Sequence, residues 1–390
     1  MYEYHVPSEM IFGAGSRNRV GKVAKSLGMT DVLLVCDSFL STMPVTEEVI
    51  KHLEEEGIKS TVFSGVAAEP SDVTLDAAMK VLEGTGINGI VSFGGGSSID
   101  TAKAVAVLAA NGGPMSLYQG YGKVPGPGLK HIAIPTTAGT GSEATRVSII
   151  NDTLRNVKMM CLDNNLMVNA AIIDYELTMT MPKALTAYVG LDALTHGIEA
   201  YVSKKANPVS DLFAEKAIKL ISGGLERAYE NPEDVEARKD MMEGATFAGI
   251  AFSNASVCTV HGMSRPIGAY FHVPHGLSNA FLLPLVTKYS LDGNVERYAR
   301  ISKWMGYGSE DKSDNENAEI LAERLIELNL KLNVPSMKNY GIKYETYRDV
   351  ALQMAKDAID SGSPGNNPKQ LNEEEMVKIY MEVYGNEEAD

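Results

Sequence analysis

The chain has 390 residues, which is enough for two domains of ordinary size that each bury a core. Hydrophobic residues make up 44% of the sequence and charged residues 22%, a balance typical of globular proteins that excludes a disordered chain. The formal net charge of −15 argues against a nucleic-acid partner or an anionic membrane surface, because both select basic protein faces.

The cysteines and the N-terminal sequence indicate the compartment. Cys36, Cys161 and Cys258 lie far apart and form no CxxC pair, which is typical of reduced thiols in an intracellular protein. The N-terminus lacks the basic and apolar regions of a signal peptide, and no run reaches the roughly 18 apolar residues of a membrane span. We therefore expect a cytoplasmic protein with no membrane partner.

Residues 1 to about 180 alternate short apolar runs with helical patterns. The runs are short and often end in turn residues, so they are predicted as strands, at 32–36, 60–66, 89–96, 131–137 and 168–174. Segments 45–56, 72–84 and 98–110 between them have helical length and spacing. Strands that alternate with helices imply a mostly parallel sheet covered on both faces.

The pattern changes after Met181-Pro182, where helix follows helix and no alternating strand is found. Ala, Leu, Met, Glu and Lys dominate this part, and its predicted helices include 185–202, 209–229, 233–252, 316–332 and 345–358. We therefore predict an α/β domain over residues 1–180 and an all-helical domain over residues 181–390. In such an arrangement the ligand cleft is expected between the domains.

A glycine-rich segment, IVSFGGGSSIDTAKAVA (90–106), joins a predicted strand to a predicted helix. Glycines allow the backbone to approach a phosphate, and the helix N-terminus supplies free N–H groups and a favourable dipole. Ser97 or Ser98 can cap the helix and also donate a hydroxyl group. The alternative is a tight strand–helix turn with an ordinary serine cap, since the segment is not the Rossmann G-x-G-x-x-G fingerprint.

Two further segments offer groups for a dinucleotide. In HIAIPTTAGTGSEAT (131–145), the hydroxyl groups can donate to a cofactor or can cap a glycine-rich loop. Asp37 ends the predicted strand 32–36, where a carboxylate can accept from ribose hydroxyls and would repel a 2′-phosphate. The alternative for Asp37 is a cap or turn residue.

Three histidines and an aspartate form a candidate metal site. Asp192 and His196 are four residues apart on a predicted helix, so their side chains project from one face. His261 and His275 are fourteen positions apart, with Pro266 and Pro274 between them, which places them on different elements. One carboxylate and three imidazoles suit Fe²⁺ or Zn²⁺, and a catalytic site leaves room for a substrate oxygen. The alternative is a surface His196 paired with Asp192, with the other two histidines as caps or core residues.

Nearly end to end, the chain resembles the iron-containing (group III) alcohol dehydrogenases, within the superfamily of glycerol dehydrogenase and dehydroquinate synthase. The resemblance is carried by FGAGS, GGGSSIDTAKAVA, IPTTAGTGSEAT, IIDYELTMTMP, GLDALTHGIEAYVS, FSNASVCTVHGMS, VPHGLSNAFLLP and SGSPGNNPK. It implies a dehydroquinate synthase-like fold, with an α/β dinucleotide-binding domain followed by an all-α domain that binds metal and substrate. It also implies Asp192, His196, His261 and His275 as the metal ligands.

The resemblance further implies NAD as the cofactor, with Asp37 favouring it over NADP. The residues that match the family's cofactor contacts are Asp37, Glu69, Gly95, Gly96, Ser97, Asp100, Thr136, Thr137, Thr145 and Lys158. The expected partners are a small alcohol or aldehyde and further copies of the chain, as a homodimer or a larger homo-oligomer.

Two positions depart from the family's pattern. Many members carry a second histidine four residues after the one that matches His261, often assigned to a proton relay, and here that position is Arg265. His272 stands where several relatives have Asn. We interpret His272 as a candidate for proton transfer, alongside ordered water, and Arg265 either as a contact for an anionic substrate or as a brace of its loop.

The expected chemistry is hydride transfer between the nicotinamide and a short-chain alcohol or aldehyde, with a metal ion as Lewis acid. If Arg265 contacts the substrate, semialdehydes or sulfoacetaldehyde-type compounds are favoured. Two alternatives are a dehydroquinate synthase-like lyase, which returns the hydride within one turnover, and a non-catalytic NAD-binding protein.

Overall fold

A computed structural model describes residues 2–155 and 157–385. The chain divides into two compact units, one over Tyr4–Thr180 and the other formed almost entirely by the chain from Met181 onward. Residues 386–390, the end of the predicted all-helical domain, lie outside the described residues. No helix in the described ranges is long and apolar enough to cross a membrane.

The first unit contains a six-stranded sheet and a smaller three-stranded one. Its strands are β1 (Glu9–Phe12), β2 (Asp31–Asp37), β3 (Lys59–Val66), β4 (Gly89–Gly94), β5 (Gly120–Tyr121), β6 (Lys130–Pro135), β7 (Val147–Asp152), β8 (Val157–Leu162) and β9 (Ala170–Ile173). The large sheet has the order β1-β9-β6-β4-β2-β3, and every neighbouring pair is parallel. The predicted parallel sheet is confirmed.

Helices cover both faces of this sheet: α1 (Val20–Ser26), α2 (Pro44–Glu55), α3 (Asp72–Leu82) and α4 (Gly96–Asn111). Successive residues of a strand point to opposite faces. Accordingly, Leu33 and Val35 of β2 belong to the core cluster that contains residues of α3 and α4. Val32 and Leu34 belong to the cluster that contains residues of α1 and α2. Burial on both faces explains why these strands are continuous apolar runs.

The strand order reverses at β2, which has β3 on one side and β4 on the other. In open α/β sheets, ligands bind beyond the carboxyl ends of the strands at such a switch point. The loops after β2 and β4 therefore lie where a dinucleotide is expected.

Sequence analysis missed the three-stranded sheet, of order β5-β8-β7. Its antiparallel pair β7 and β8 buries alternate residues, but the buried positions of β7 include Ser148 and Asp152. Because these buried side chains are polar, the hydrophobic alternation that predicts a strand is absent.

The second unit has helices and no strand among its described residues. The helices are α5 (Lys183–Val202), α6 (Pro208–Glu230), α7 (Val235–Asn254), α8 (Thr259–Phe271), α9 (His275–Ser290), α10 (Val295–Trp304), α11 (Asp314–Lys331), α12 (Met337–Tyr340), α13 (Tyr344–Asp360) and α14 (Glu373–Tyr384). Five of them, α5, α6, α7, α11 and α13, lie within two residues of the predicted bounds.

Candidate metal and active site

The four predicted metal ligands come from three helices of the second unit. Asp192 and His196 lie one turn apart on α5, His261 lies on α8, and His275 is the first residue of α9. Each offers one ligand atom, and these four atoms all lie within 4.8 Å of one another. The structure therefore brings together all four residues.

Of the two prolines between His261 and His275, only one separates their helices. Pro266 lies inside α8 and does not end it, whereas Pro274 immediately precedes α9. The break is at 272–274, after which the chain reverses enough to place His275 beside His261, with ring centroids 5.3 Å apart.

The distances fit a single divalent ion. Asp192 Oδ1 lies 3.9 Å from His196 Nε2, 3.5 Å from His261 Nε2 and 3.6 Å from His275 Nε2. Ligand atoms about 2.1 Å from one tetrahedral ion lie about 3.4 Å apart. Nitrogen and carboxylate donors at this separation suit Fe²⁺ or Zn²⁺.

The electrostatics of the cluster favour an ionised carboxylate. Burial opposes ionisation of Asp192, but the electrostatic effect of the neighbouring His196 and His275 imidazoles outweighs it and lowers the pKa of this carboxyl group below its usual range. Asp192, His196 and His261 are buried, whereas 43% of the His275 side chain is exposed. Within this unit, the cluster is therefore accessible on the side of His275.

Sequence analysis missed Glu199, which lies on α5 three residues after His196 and is 3% exposed. Its Oε2 lies 2.6 Å from His261 Nδ1. Because a carboxylate only accepts hydrogen bonds, Nδ1 carries the proton, and Nε2 is left with a lone pair facing Asp192. The available signal was the spacing of seven residues from Asp192, which places both carboxylates on one side of the helix.

Asn279 was also missed. It lies on α9, four residues after His275, and is fully buried. Its Nδ2 donates to Asp192 Oδ1 at 2.6 Å and lies 3.1 Å from His261 Nε2 and 3.4 Å from His275 Nε2. The amide thus lies among three of the donor atoms and fixes the orientation of the Asp192 carboxylate.

The structure gives a local structural role to each of the two predicted catalytic residues. His272 is exposed and ends α8 with φ 54° and ψ 32°, a left-handed conformation in which Asn and His are enriched. This backbone conformation is one that the histidine at this position tolerates. Arg265 is half-buried on α8, and its Nη1 donates to Ser363 Oγ at 2.9 Å. Their roles in proton transfer and anion binding stay predictions.

In the first unit, several predicted cofactor residues lie at the carboxyl ends of neighbouring strands. Asp37 ends β2, and its Oδ1 accepts from the Leu40 N–H at 2.8 Å. Gly95 caps α4 after β4, and the Thr136 N–H, after β6, donates to the Gly94 carbonyl at 3.0 Å. The parallel pairing of β2, β4 and β6 places these three loops at one edge of the sheet.

Close packing explains the glycines of the loop after β4. A Cβ atom on Gly95 would lie 3.2 Å from Thr137 Oγ1, and one on Gly96 would lie 2.8 Å from Thr140 Cγ2. The two threonine side chains therefore occupy the space that larger residues in the loop would need. The neighbouring Ser97 Oγ donates to the Ala68 carbonyl at 2.6 Å.

The remaining predicted cofactor residues contact one another or their own loops. Lys158 Nζ lies 2.7 Å from Glu69 Oε1. The Asp100 carboxylate accepts from Ser142 Oγ and, at 2.9 Å, from the Ile149 N–H. Thr145 is buried, and its hydroxyl accepts from Lys103 Nζ at 3.0 Å. Asp100 and Thr145 thus hold the loop before β7, and the start of that strand, against α4.

Two family models and several known proteins match most of this chain. Residues 7–175 match the family model "Iron-containing alcohol dehydrogenase", and residues 186–384 match "Fe-containing alcohol dehydrogenase family, C-terminal". An NAD-dependent methanol dehydrogenase from Bacillus methanolicus is 37% identical, over 97% of this chain and 99% of that protein.

Two solved structures are similar over almost the whole chain. A 1,3-propanediol oxidoreductase is 34% identical with a TM-score of 0.95, over 98% of this chain and 100% of that one. A sulfoacetaldehyde reductase from Bifidobacterium kashiwanohense, solved with NAD⁺, is 26% identical with a TM-score of 0.89, over 99% and 100%. These matches confirm the predicted dehydroquinate synthase-like fold class. The chain belongs to the iron-containing alcohol dehydrogenases, a family of oxidoreductases.

Proposed function

We propose that this protein is an iron-dependent, NAD(H)-linked alcohol dehydrogenase or aldehyde reductase for short-chain substrates, with Zn²⁺ as the alternative metal. The convergence of one carboxylate and three imidazoles within 4.8 Å carries the proposal. Family membership supports hydride transfer over the lyase and non-catalytic alternatives. The NAD-dependent methanol dehydrogenase and the NAD⁺ complex of the sulfoacetaldehyde reductase support the cofactor.

Asp192, His196, His261 and His275 would hold the ion, which when bound supplies a Lewis acid for the alcohol or carbonyl oxygen. Their helices fix these side chains before substrate arrives, so little reorganisation is required. The exposed side at His275 is the side from which substrate reaches the donors. His272 is the proposed proton carrier, because it is an exposed imidazole three residues from a ligand.

In the first unit, we assign dinucleotide binding to the loops at the ends of β2, β4 and β6. Gly95, Gly96 and Ser97 would receive the phosphates at the N-terminus of α4, where N–H groups lack helical partners. Asp37 would accept from the ribose hydroxyls and exclude a 2′-phosphate. Thr136, Thr137 and the Glu69–Lys158 pair are the proposed further contacts, with Asp100 and Thr145 acting through the loop they hold.

Metal content and NADH-dependent aldehyde reduction, measured on the same samples, test this function. His275→Ala is the sharpest variant, because its half-exposed side chain leaves no buried cavity. It should lose bound iron and nearly all turnover while circular dichroism stays unchanged, and His261→Ala should do the same at some cost in stability. His52→Ala, on α2, is the matched control and should behave as wild type. Normal iron content and turnover in His275→Ala would contradict the assignment.

A second candidate is an aldehyde substrate that carries a carboxylate or sulfonate. The similarity to a sulfoacetaldehyde reductase and the position of Arg265, four residues after His261, favour it. Its guanidinium binds Ser363 Oγ with Nη1, and a guanidinium has five N–H donors, so the fork retains donors for an anion. If Arg265 contacts the substrate, Arg265→Ala should lower kcat/KM for the acidic aldehyde about tenfold to a hundredfold more than for a neutral one of equal length. An equal loss of kcat/KM for both aldehydes would show that Arg265 only braces its loop.

A further inference from the structure

The buried carboxylate of Glu199 is held in a single orientation by three donors. Oε2 accepts from the Cys258 N–H at 2.8 Å and pairs with His261 Nδ1 at 2.6 Å. Oε1 accepts from the Val260 N–H at 2.6 Å. Both carboxylate oxygens are therefore engaged, and each bond joins α5 to the start of α8.

The surroundings of Glu199 compensate its charge. Helix α8 begins at Thr259, so the N–H groups of Cys258 and Val260 belong to the helix N-terminus, where the dipole favours an anion. The positive charge of Arg265 on the same helix also interacts with Glu199. A carboxylate that is 3% exposed thus lies among N–H donors and near a positive charge, and it stays outside the cluster of four donors.

We propose that Glu199 is a positioning residue for the metal centre. It orients the His261 ring, keeps the proton on Nδ1 so that Nε2 faces the other donors, and makes the imidazole a stronger ligand. Glu199 acts through His261 and does not itself contact the ion. This inference rests on the proposed function, because it requires an ion at the four donors.

The variant Glu199→Gln tests this role with little change in shape. If the amide oxygen takes the place of Oε2, the NH₂ group faces the Val260 N–H. If it takes the place of Oε1, the NH₂ group faces the Cys258 N–H and donates to Nδ1, which forces the proton onto Nε2. In either orientation two N–H donors face each other without an acceptor between them, and the negative charge next to His261 is lost. Metal affinity should therefore fall about tenfold to a hundredfold.

The measurement uses the full-length protein, freed of metal and titrated with Zn²⁺ against a chromogenic chelator. The variants are Glu199→Gln, His261→Ala and the double variant, with Val257→Ala as a control that alters the same segment and keeps the carboxylate. Visible absorption of the Co²⁺-loaded proteins reports the ligand field directly. Glu199→Gln should weaken Zn²⁺ binding and change the Co²⁺ spectrum, whereas Val257→Ala should retain the affinity and the spectrum of wild type.

The double variant shows whether Glu199 acts through His261. In the His261→Ala background, Glu199→Gln should cause less than about a threefold further loss of affinity, because coupled residues are not additive. Wild-type affinity and spectrum in Glu199→Gln, or losses that multiply in the double variant, would overturn the inference. If wild type binds no ion, or His275→Ala binds Zn²⁺ as tightly as wild type, the proposed function itself fails.

A measurement on the unaltered protein covers the case in which Glu199→Gln does not fold. Nitrogen-15 spectra of histidine-labelled, Zn²⁺-loaded wild type report the tautomer of each ring, and comparison with His261→Ala assigns the His261 signals. A proton on Nδ1 of His261 is expected. A proton on Nε2 would contradict the role of Glu199.

Discussion

Asp37 has the turn contact that was one of its two predicted roles, and its geometry is compatible with the other, proposed role in cofactor binding. One of its carboxylate oxygens accepts from the Leu40 N–H at 2.8 Å, which is the role of a turn residue. A carboxylate has two oxygens and about four lone-pair positions, so this bond leaves capacity for ribose hydroxyls. Capping and cofactor selection are therefore compatible in a single side chain.

The cofactor prediction separates these two roles. Asp37→Asn keeps an acceptor for Leu40 but removes the charge, so the preference for NADH over NADPH, as a ratio of kcat/KM, should narrow about tenfold or more. Asp37→Gly should narrow the ratio similarly and also lower the melting temperature, because the turn loses its acceptor. Equal use of both cofactors by wild type would show that Asp37 does not select NAD.

Lys103 is a fully buried lysine in the first unit. Its Nζ lies within hydrogen-bond distance of five oxygens, which belong to Ser142, Thr145 and Val147. Burial lowers the pKa of Lys103 to about 8, although Asp100 and Glu143 act in the opposite direction. The side chain fastens the same loop that Asp100 and Thr145 hold.

The lowered pKa of Lys103 predicts a specific pH dependence of stability. The ordinary pKa is 10.5 and the folded value about 8, so between these values the unfolded chain binds more protons than the folded one. The free energy of unfolding therefore gains a contribution from Lys103 as pH rises from about 8 to 10.5, and this gain is absent below pH 8. Urea denaturation of wild type and Lys103→Met at pH 7, 8 and 9.5 should show the gain in wild type alone. If the free energy of unfolding depends on pH in the same way in both proteins, the assignment of this effect to Lys103 is wrong.

At the scale of elements, helices α6 and α7 pack closely, and two adjacent glycines of α6 differ in whether they face α7. Gly223 and Gly224 are adjacent in α6. A Cβ atom on Gly223 would meet nothing within 4 Å, whereas one on Gly224 would lie 3.1 Å from the Ala237 carbonyl oxygen and from Asp240 Cβ. Of these two adjacent glycines, Gly224 is the one that the close approach of the two helices requires.

This difference predicts opposite effects from the same substitution. Gly223→Ala should stabilise the protein by about 0.5–1 kcal/mol, because alanine has the higher helix propensity and the site has room. Gly224→Ala should destabilise it by about 1–3 kcal/mol, as in other overpacked cores. Chemical denaturation measures both, and equal effects at the two positions would contradict the packing argument.

At the scale of the whole molecule, all four proposed ligands belong to the helical unit. An ion that binds only the folded state stabilises it by about 2.7 kcal/mol at a free concentration of 100 times Kd. Calorimetry should therefore show that chelation lowers the melting temperature of the transition that includes this unit, and that added Fe²⁺ or Zn²⁺ restores it. Chelation should not change the melting temperature of His275→Ala, because this variant binds no ion. An equal fall in the melting temperature of that variant would show that the ion binds at another site.

The sequence alone determined the features that depend on local periodicity and motif spacing. Buried parallel strands are continuous apolar runs, so β2, β4 and β6 were predictable, as were the helices whose bounds agree within two residues. Helical spacing linked only Asp192 and His196, and the family resemblance identified the four donors as a set. Asp37 and the glycine loop were predictable because strand ends determine where they lie.

Only the tertiary structure decided which contacts these residues make. Glu199 and His261 are 62 residues apart, and Asn279 and Asp192 are 87 apart, so no local pattern links them. Asp100, Thr145 and Lys103 lie in segments predicted to bind cofactor or form a helix, and only the structure shows that their polar atoms meet at one loop. Hydrogen bonds form between groups that folding brings together, and their partners are defined by packing rather than by position in the chain.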